Sequence, residues 1–179
     1  MRIGASVEYF SSADEWVKAH KKRAYGACIF PLSHDAPPEQ FEAFKRAANE
    51  NNLLIAEVGA WSNPLDPNEE IRRAAIKLNI ARLQLAETVG ARCCVNISGS
   101  CHPDVWMAPH KNNLTEETFD QIVRNTQEII DAVHPTPQLQ LQSQKMLIQN
   151  LNLTLSWEWT QHSRDLKITV TQAEMLMLT

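Results

Sequence analysis

Apolar positions change their period several times along the chain, and each change marks an element. Leu53 to Trp61, LLIAEVGAW, is an apolar run of strand length. SNPLDP follows with turn chemistry, and Pro64 and Pro67 bar a continued strand. Asp66 is placed to cap a helix, with Pro67 at its first position and Glu69 three residues after the cap. In that helix Ile71, Ala74, Leu78, Ala81, Leu85 and Val89 recur every three or four residues, which predicts an apolar face. Gly90 falls where a left-handed C-terminal residue belongs. RCCVNISGS then gives a second short apolar strand that breaks at Gly99. Two strands joined by a long helix are predicted to be parallel, with a right-handed crossover.

The same alternation runs on either side. Predicted strands cover 2–7, 26–32, 53–59 and 92–98, each followed by a helix. Ser12 and Glu15 form a capping box for a helix over 13–25. Asp35, followed by two prolines, opens a helix with Phe41, Phe44 and Ala48 on one face. Thr115 starts a helix whose apolar positions are Phe119, Ile122, Val123, Thr126, Ile129, Ile130 and Val133. It stops at His134, because Pro135 disfavours helical geometry in the residue before it. Strict strand–helix alternation argues for an α/β fold with a parallel sheet. Four such units in residues 1–134 match the density of half an eight-fold β/α barrel, which takes about 250 residues. A doubly wound open sheet is the competing architecture. It would often carry a glycine-rich phosphate loop after its first strand, and none is present.

Residues 135–179 are a different kind of sequence, rich in glutamine and without glycine. Leu151, Leu153, Leu155, Trp157 and Trp159 alternate with polar residues, as do Leu166, Ile168 and Val170, which predicts a β-hairpin. The change is abrupt enough to suggest a segment foreign to the parent domain, through a shifted reading frame, an alternative exon or a gene-model error. A divergent but genuine subdomain is the other reading.

Composition narrows the classes. The net charge of −4 and the absence of a basic stripe argue against nucleic-acid binding. No apolar run is long enough to cross a bilayer, and MRIGASVEYF lacks a signal-peptide core, so a cytoplasmic protein without membrane attachment is expected. Cys28, Cys93, Cys94 and Cys101 show no CxxC spacing and read as reduced thiols, with Cys93 and Cys94 on opposite strand faces.

In a parallel barrel, functional side chains sit at the C-terminal ends of the strands and in the loops beyond them. That selects Glu57, Trp61, Asn96, His102 and His110 as candidate substrate-binding residues. Glu57 could face the mouth, toward a sugar hydroxyl or a metal-bound water, or lie outward beside a helix cation. Trp61 could stack on a sugar face or pack in the core. Asn96 could bond a sugar hydroxyl or satisfy backbone at the strand end. His102 and His110 flank Trp106 in an irregular loop and could bind metal, move protons or hold phosphate. His34 is a further candidate by position, whereas His20 and His162 read as solvated. No GxSxG elbow or P-loop is present.

VGAWSNPLDP, the long helix, VNISGS, PDVWMAPHKNNLTEETFDQIV and IIDAVHPT together resemble the sugar phosphate isomerase/epimerase family, the xylose isomerase-like TIM barrels. The likeness covers about residues 1–136. It implies the N-terminal half of a barrel, acting on a sugar or sugar phosphate by aldose–ketose isomerisation or by epimerisation next to a carbonyl. It also implies a divalent metal (Mn, Mg, Co or Zn) held by Glu, Asp and His on the fifth to eighth strands, so no metal ligand transfers to residues 1–136. The 179-residue chain alone is therefore expected to show no turnover. Two other classes stay open: a non-catalytic chain that self-associates, as a homo-oligomer, or binds a partner through exposed half-barrel faces, and a nuclease of the kind acting at abasic sites.

Overall fold

A computed structural model describes residues 1–135 in full and the backbone of 140–144, 153–158 and 167–172. The elements are α1 (Ala13–Lys22), β1 (Ala27–Ile29), α2 (Pro38–Glu50), β2 (Leu54–Ala60), α3 (Glu69–Val89), β3 (Cys93–Ile97), a 3-10 turn (Lys111–Leu114) and α4 (Glu116–Val133). Three more strands follow, β4 (Gln140–Gln144), β5 (Leu153–Glu158) and β6 (Lys167–Gln172). The sheet order is β1-β2-β3-β4-β5-β6. Pairing is parallel from β1 to β4 and antiparallel from β4 to β6. The fold is thus mixed α/β around a parallel sheet. Among the described residues no helix is long and apolar enough to cross a membrane.

Three of the four predicted strands form: β2 and β3 lie within one residue of their predicted bounds, and β1 covers only Ala27–Ile29 of the predicted 26–32. The strand expected over 2–7 does not. It is reduced to one parallel bridge, Gly4 with Ala27, beside the bond from Gly26 N–H to Ile3 C=O at 2.9 Å. Its neighbour β1 is only three residues long, and a bulge between Cys28 and Ile29 breaks the β1–β2 register. So little ladder is left for an outer strand to extend. The segment is held instead by side chains: Arg2 reaches Asn52 O at 3.0 Å and Asn52 Oδ1 at 2.8 Å.

Some helix ends follow local capping rules and others depart from them. Thr115 caps α4, its Oγ1 accepting from Thr118 N–H at 3.3 Å, and His134 closes it in a left-handed conformation. In the expected capping box, Ser12 Oγ accepts from Glu15 N–H, but the Glu15 carboxylate turns to Ser11, taking its N–H at 2.8 Å and its hydroxyl at 2.7 Å. Helix α3 starts two residues later than expected, capped by Asn68 rather than Asp66. Helix α2 has no side-chain cap; the Asp35 carboxyl is bonded to the Ser33 side chain, which holds it below its ordinary range.

The expected face of α3 is buried only in its last turns, at Leu85 and Val89. Ala75, Ile76, Asn79, Leu83 and Ala86 are buried beside them, whereas Ile71 and Ala74 of the expected face are exposed. The helix carries two apolar stripes, and the periodicity of the first turns followed the outer one. Phe119 on α4 is likewise more exposed than its pattern implied. His20, expected in solvent, is fully buried: its Nδ1 lies 2.8 Å from Trp16 O and its Nε2 3.2 Å from Ala5 O, so it joins α1 to the N-terminal segment. His162 lies outside the described residues.

The core lies between the sheet and the helices. Phe44 packs tilted against Trp16 and edge to face against Phe30, with ring centres 5.3 and 6.4 Å apart. Val58, Cys94, Leu83, Ala86 and Ile129 continue it across β2, β3, α3 and α4. Burial pushes the Cys28 and Cys94 thiols up to about 12 from an ordinary 9.0. Neither is expected to react with a thiol reagent at pH 8 until the chain unfolds, which mass spectrometry of alkylated peptides would show. Since the unfolded thiols ionise first, their contribution to stability is expected to fall as pH rises from 9 toward 12.

Candidate functional site

Two loops leave the C-terminal ends of β2 and β3, and a buried polar clamp joins them. Asn63, only 5% exposed, is its centre. Its Oδ1 accepts from Ser100 N–H at 2.8 Å and from Leu65 N–H at 3.2 Å. Its Nδ2 donates to Ser100 O at 2.9 Å and to Asp66 Oδ2 at 3.3 Å. A second layer fixes the long β3–α4 loop: Ser100 Oγ donates to Ala108 O at 2.6 Å, and Asn113 Oδ1 accepts from Cys101 N–H at 2.8 Å. From α4, Asn125 Nδ2 donates to Pro64 O at 2.7 Å. Gly99 sits in the clamp at φ +100°, and a Cβ there would collide with Asn63 Oδ1 and come within 2.9 Å of Leu65 N.

This clamp was not among the residues selected from the sequence. Its one visible signal was turn chemistry, Asn63-Pro64 and Gly99-Ser100, which marks loops but not the bonds between them.

The selected residues divide between the two faces of the sheet. Cys94 pairs with Val58 in the helix-side core, so Asn96, two residues on and opposite Ala60, shares that face. Asn96 is 4% exposed and its Oδ1 has no hydrogen-bond partner among the described residues. Glu57 pairs with Cys93 on the other face. Partial burial raises the Glu57 carboxyl above its ordinary range, and the Cys93 thiol is raised by its own burial and by Glu57. Trp61 follows Glu57 and Gly59 on that face. Its indole lies against Gly59, where any Cβ would strike the ring nitrogen.

A group whose folded pKa is raised keeps its proton to higher pH than the unfolded chain does. Its contribution to stability therefore falls as pH rises from the ordinary 4.5 through the folded value. Glu57→Gln removes that titration. The variant is expected to be more stable than the parent at pH 7 and to lose the advantage below pH 4, as urea titrations at the two pH values would show.

Trp61 and Trp106 line an open pocket of about 360 Å³. Ile71, Ala74 and Leu78, the outer stripe of α3, form its apolar wall, and Ser62, Asn63 and Asp66 its polar edge. His102 and His110 lie together in the β3–α4 loop, ring centres 6.2 Å apart and nearly perpendicular. His102 Nδ1 accepts from the N–H groups of Asp104 and Val105, both at 3.1 Å. His110 Nδ1 accepts from Asn112 N–H at 3.3 Å and caps the 3-10 turn.

These residues do not fit a divalent metal. Among the described residues no three of His, Cys, Asp and Glu come close enough to hold one. In the histidine pair each Nδ1 is occupied by backbone N–H groups, so the neutral ring carries its proton on Nε2 and offers no free lone pair. A metal-ligating histidine needs the reverse, with its other nitrogen donating.

No family model matches the chain, and no curated protein sequence does. Solved structures do. The apo form of 3-keto-D-glucoside 4-epimerase from E. coli superposes with a TM-score of 0.56 at 15% identity, over 79% of this chain and 55% of that one. D-Psicose 3-epimerase from Clostridium cellulolyticum H10, solved with D-tagatose, gives 0.53 at 12% identity, over 75% and 49%. The chain spans about half the length of the solved proteins it matches. The strand–helix units around the Asn63 clamp thus have the fold of about half of each of these two sugar epimerases.

Proposed function

We propose that this chain supplies the first strand–helix units of a TIM-barrel sugar or sugar-phosphate isomerase/epimerase, and that a sugar binds at the loops following β2 and β3. The observation that carries this is the joining of those two loops, by Asn63, at the C-terminal ends of parallel strands. There Trp61 and Trp106 border one open pocket. A half-exposed indole suits the apolar face of a sugar ring. The likeness to two sugar epimerases supports the same substrate class. Glu57, on the Trp61 face of the sheet, and His102 and His110 in the β3–α4 loop are the remaining polar candidates, whereas Asn96 is buried on the helix-side face.

Epimerisation next to a carbonyl needs a base at the carbon and a means of holding the developing oxyanion. Among the described residues no cluster of His, Cys, Asp and Glu is placed to hold a metal. The 179-residue chain alone is therefore expected to bind sugar without turning it over. Incubation with D-tagatose and with sugar phosphates in D2O, with and without Mn, Mg, Co or Zn, tests this. No deuterium is expected at the carbon beside the carbonyl. Metal-stimulated incorporation at that carbon would contradict it.

A second reading has its own observation. Trp61, Ile71 and Trp106 expose large apolar surfaces at the pocket, and Val105 and Met107 are exposed on either side of Trp106 in the chain, more than scattered surface residues require. A chain that self-associates through this face would show a concentration-dependent mass by light scattering, and a Trp106→Glu, Met107→Glu variant would be monomeric. A parent that is monomeric at every concentration would remove this reading.

A further inference from the structure

We infer that His102 and His110 act as a pair of neutral imidazole donors, each presenting Nε2–H to an oxygen of a polyhydroxylated carbonyl ligand. The inference rests on the sugar-binding reading above and names the chemistry of the β3–α4 loop, which carries Trp106 to that pocket. Each ring is oriented by the backbone: His102 Nδ1 by the N–H groups of Asp104 and Val105, His110 Nδ1 by that of Asn112. A nitrogen that accepts from backbone N–H holds no proton, so in the neutral ring the proton is on Nε2. That arrangement can neither ligate a metal nor take up a proton at Nε2. What it can do is donate, which is how a neutral imidazole polarises a carbonyl without transferring its own proton.

The spacing suits one ligand. With ring centres 6.2 Å apart and each N–H···O contact about 2.9 Å long, neighbouring oxygens of a single sugar fall within reach of both rings. The loop is held in place by Ser100 Oγ on Ala108 O and by Asn113 on Cys101 N–H, so the donors do not depend on the ligand for their position. Uncharged donors, with Asp104 between them in sequence, favour a neutral polyol over a free anion.

Two-bond ¹H–¹⁵N correlation spectra of the full chain at neutral pH test this directly. Both histidines are expected in the Nε2–H form, and Nδ1–H signals would overturn the inference. Titration with D-tagatose is expected to shift both Nε2 resonances, while Zn²⁺ leaves them unmoved. His102→Asn and His110→Asn keep a side-chain acceptor for the same backbone N–H groups but lack the distant donor. Each is expected to retain the parental melting temperature and to weaken D-tagatose binding about tenfold, the loss of one hydrogen bond. Zinc-induced shifts of both rings would mark a metal site, and a response to inorganic phosphate alone an anion site; either overturns the inference. If Trp61 fluorescence reports D-tagatose binding while both rings stay unmoved, the donor pair falls and the sugar-binding reading stands. If neither responds, both fall.

Discussion

Asn63→Ala is expected to lower stability by about 3 kcal/mol, one of the largest losses for a single polar side chain in this protein. The substitution removes all four bonds of the clamp. It strands the N–H groups of Leu65 and Ser100, the Ser100 carbonyl and one oxygen of Asp66 where water has little access. Asn63 and Ser100 are only 5% and 2% exposed, so most of that desolvation goes uncompensated. For a domain of this size the loss corresponds to a melting temperature lower by about 10 °C. The change should also be local: hydrogen exchange is expected to rise first at Leu65 and Ser100 and not in Leu83 or Ile129, which lie in the helix-side core. A melting temperature within 2 °C of the parent would show that the clamp does not hold the loops.

Gly99→Ala should cost as much by a different route. At φ +100° an alanine is strained whatever space surrounds it, at about 1–3 kcal/mol. Space is also absent, because the new methyl would collide with Asn63 Oδ1 and crowd the Leu65 backbone. Moving either group breaks the bonds they make to each other and to Ser100. A total of about 3–4 kcal/mol is expected. Because both substitutions break the same bonds, the Gly99→Ala, Asn63→Ala double variant should lose clearly less than the sum of the two. Additive losses in chemical denaturation would mean that Gly99 and Asn63 act independently.

The contrast between strands and clamp shows what the chain makes legible. β1, β2 and β3 could be placed because each is a short apolar run bounded by turn residues, and the α4 ends because Thr115 and Pro135 act on the residues next to them. Residues 2–7 have a sequence that suits a strand, but their neighbour gives them almost nothing to pair with. On α3 the sequence pattern holds for Leu85 and Val89 and fails in the first turns, where two apolar stripes share one helix and only packing decides which turns inward. His20 looked solvated among lysines, yet its position on α1 brings it against Trp16 and the Ala5 carbonyl. In the site, loop position alone pointed to Trp61, His102 and His110. The Asn63 clamp could not be read, because its members are 37 residues apart. Nor could the histidine tautomers, which depend on backbone N–H groups rather than on side-chain identity.

The proposed site is a ketose-binding mouth formed by the loops after β2 and β3, with Trp61 in its wall. Isothermal titration of the 179-residue chain with D-tagatose, repeated on Trp61→Ala, tests it most directly. Trp61 is half exposed, so its removal should leave the fold intact. Saturable binding by the parent and a loss of at least tenfold in the variant is the expected result. No saturable heat from the parent, or binding that Trp61→Ala leaves unchanged, would contradict the account.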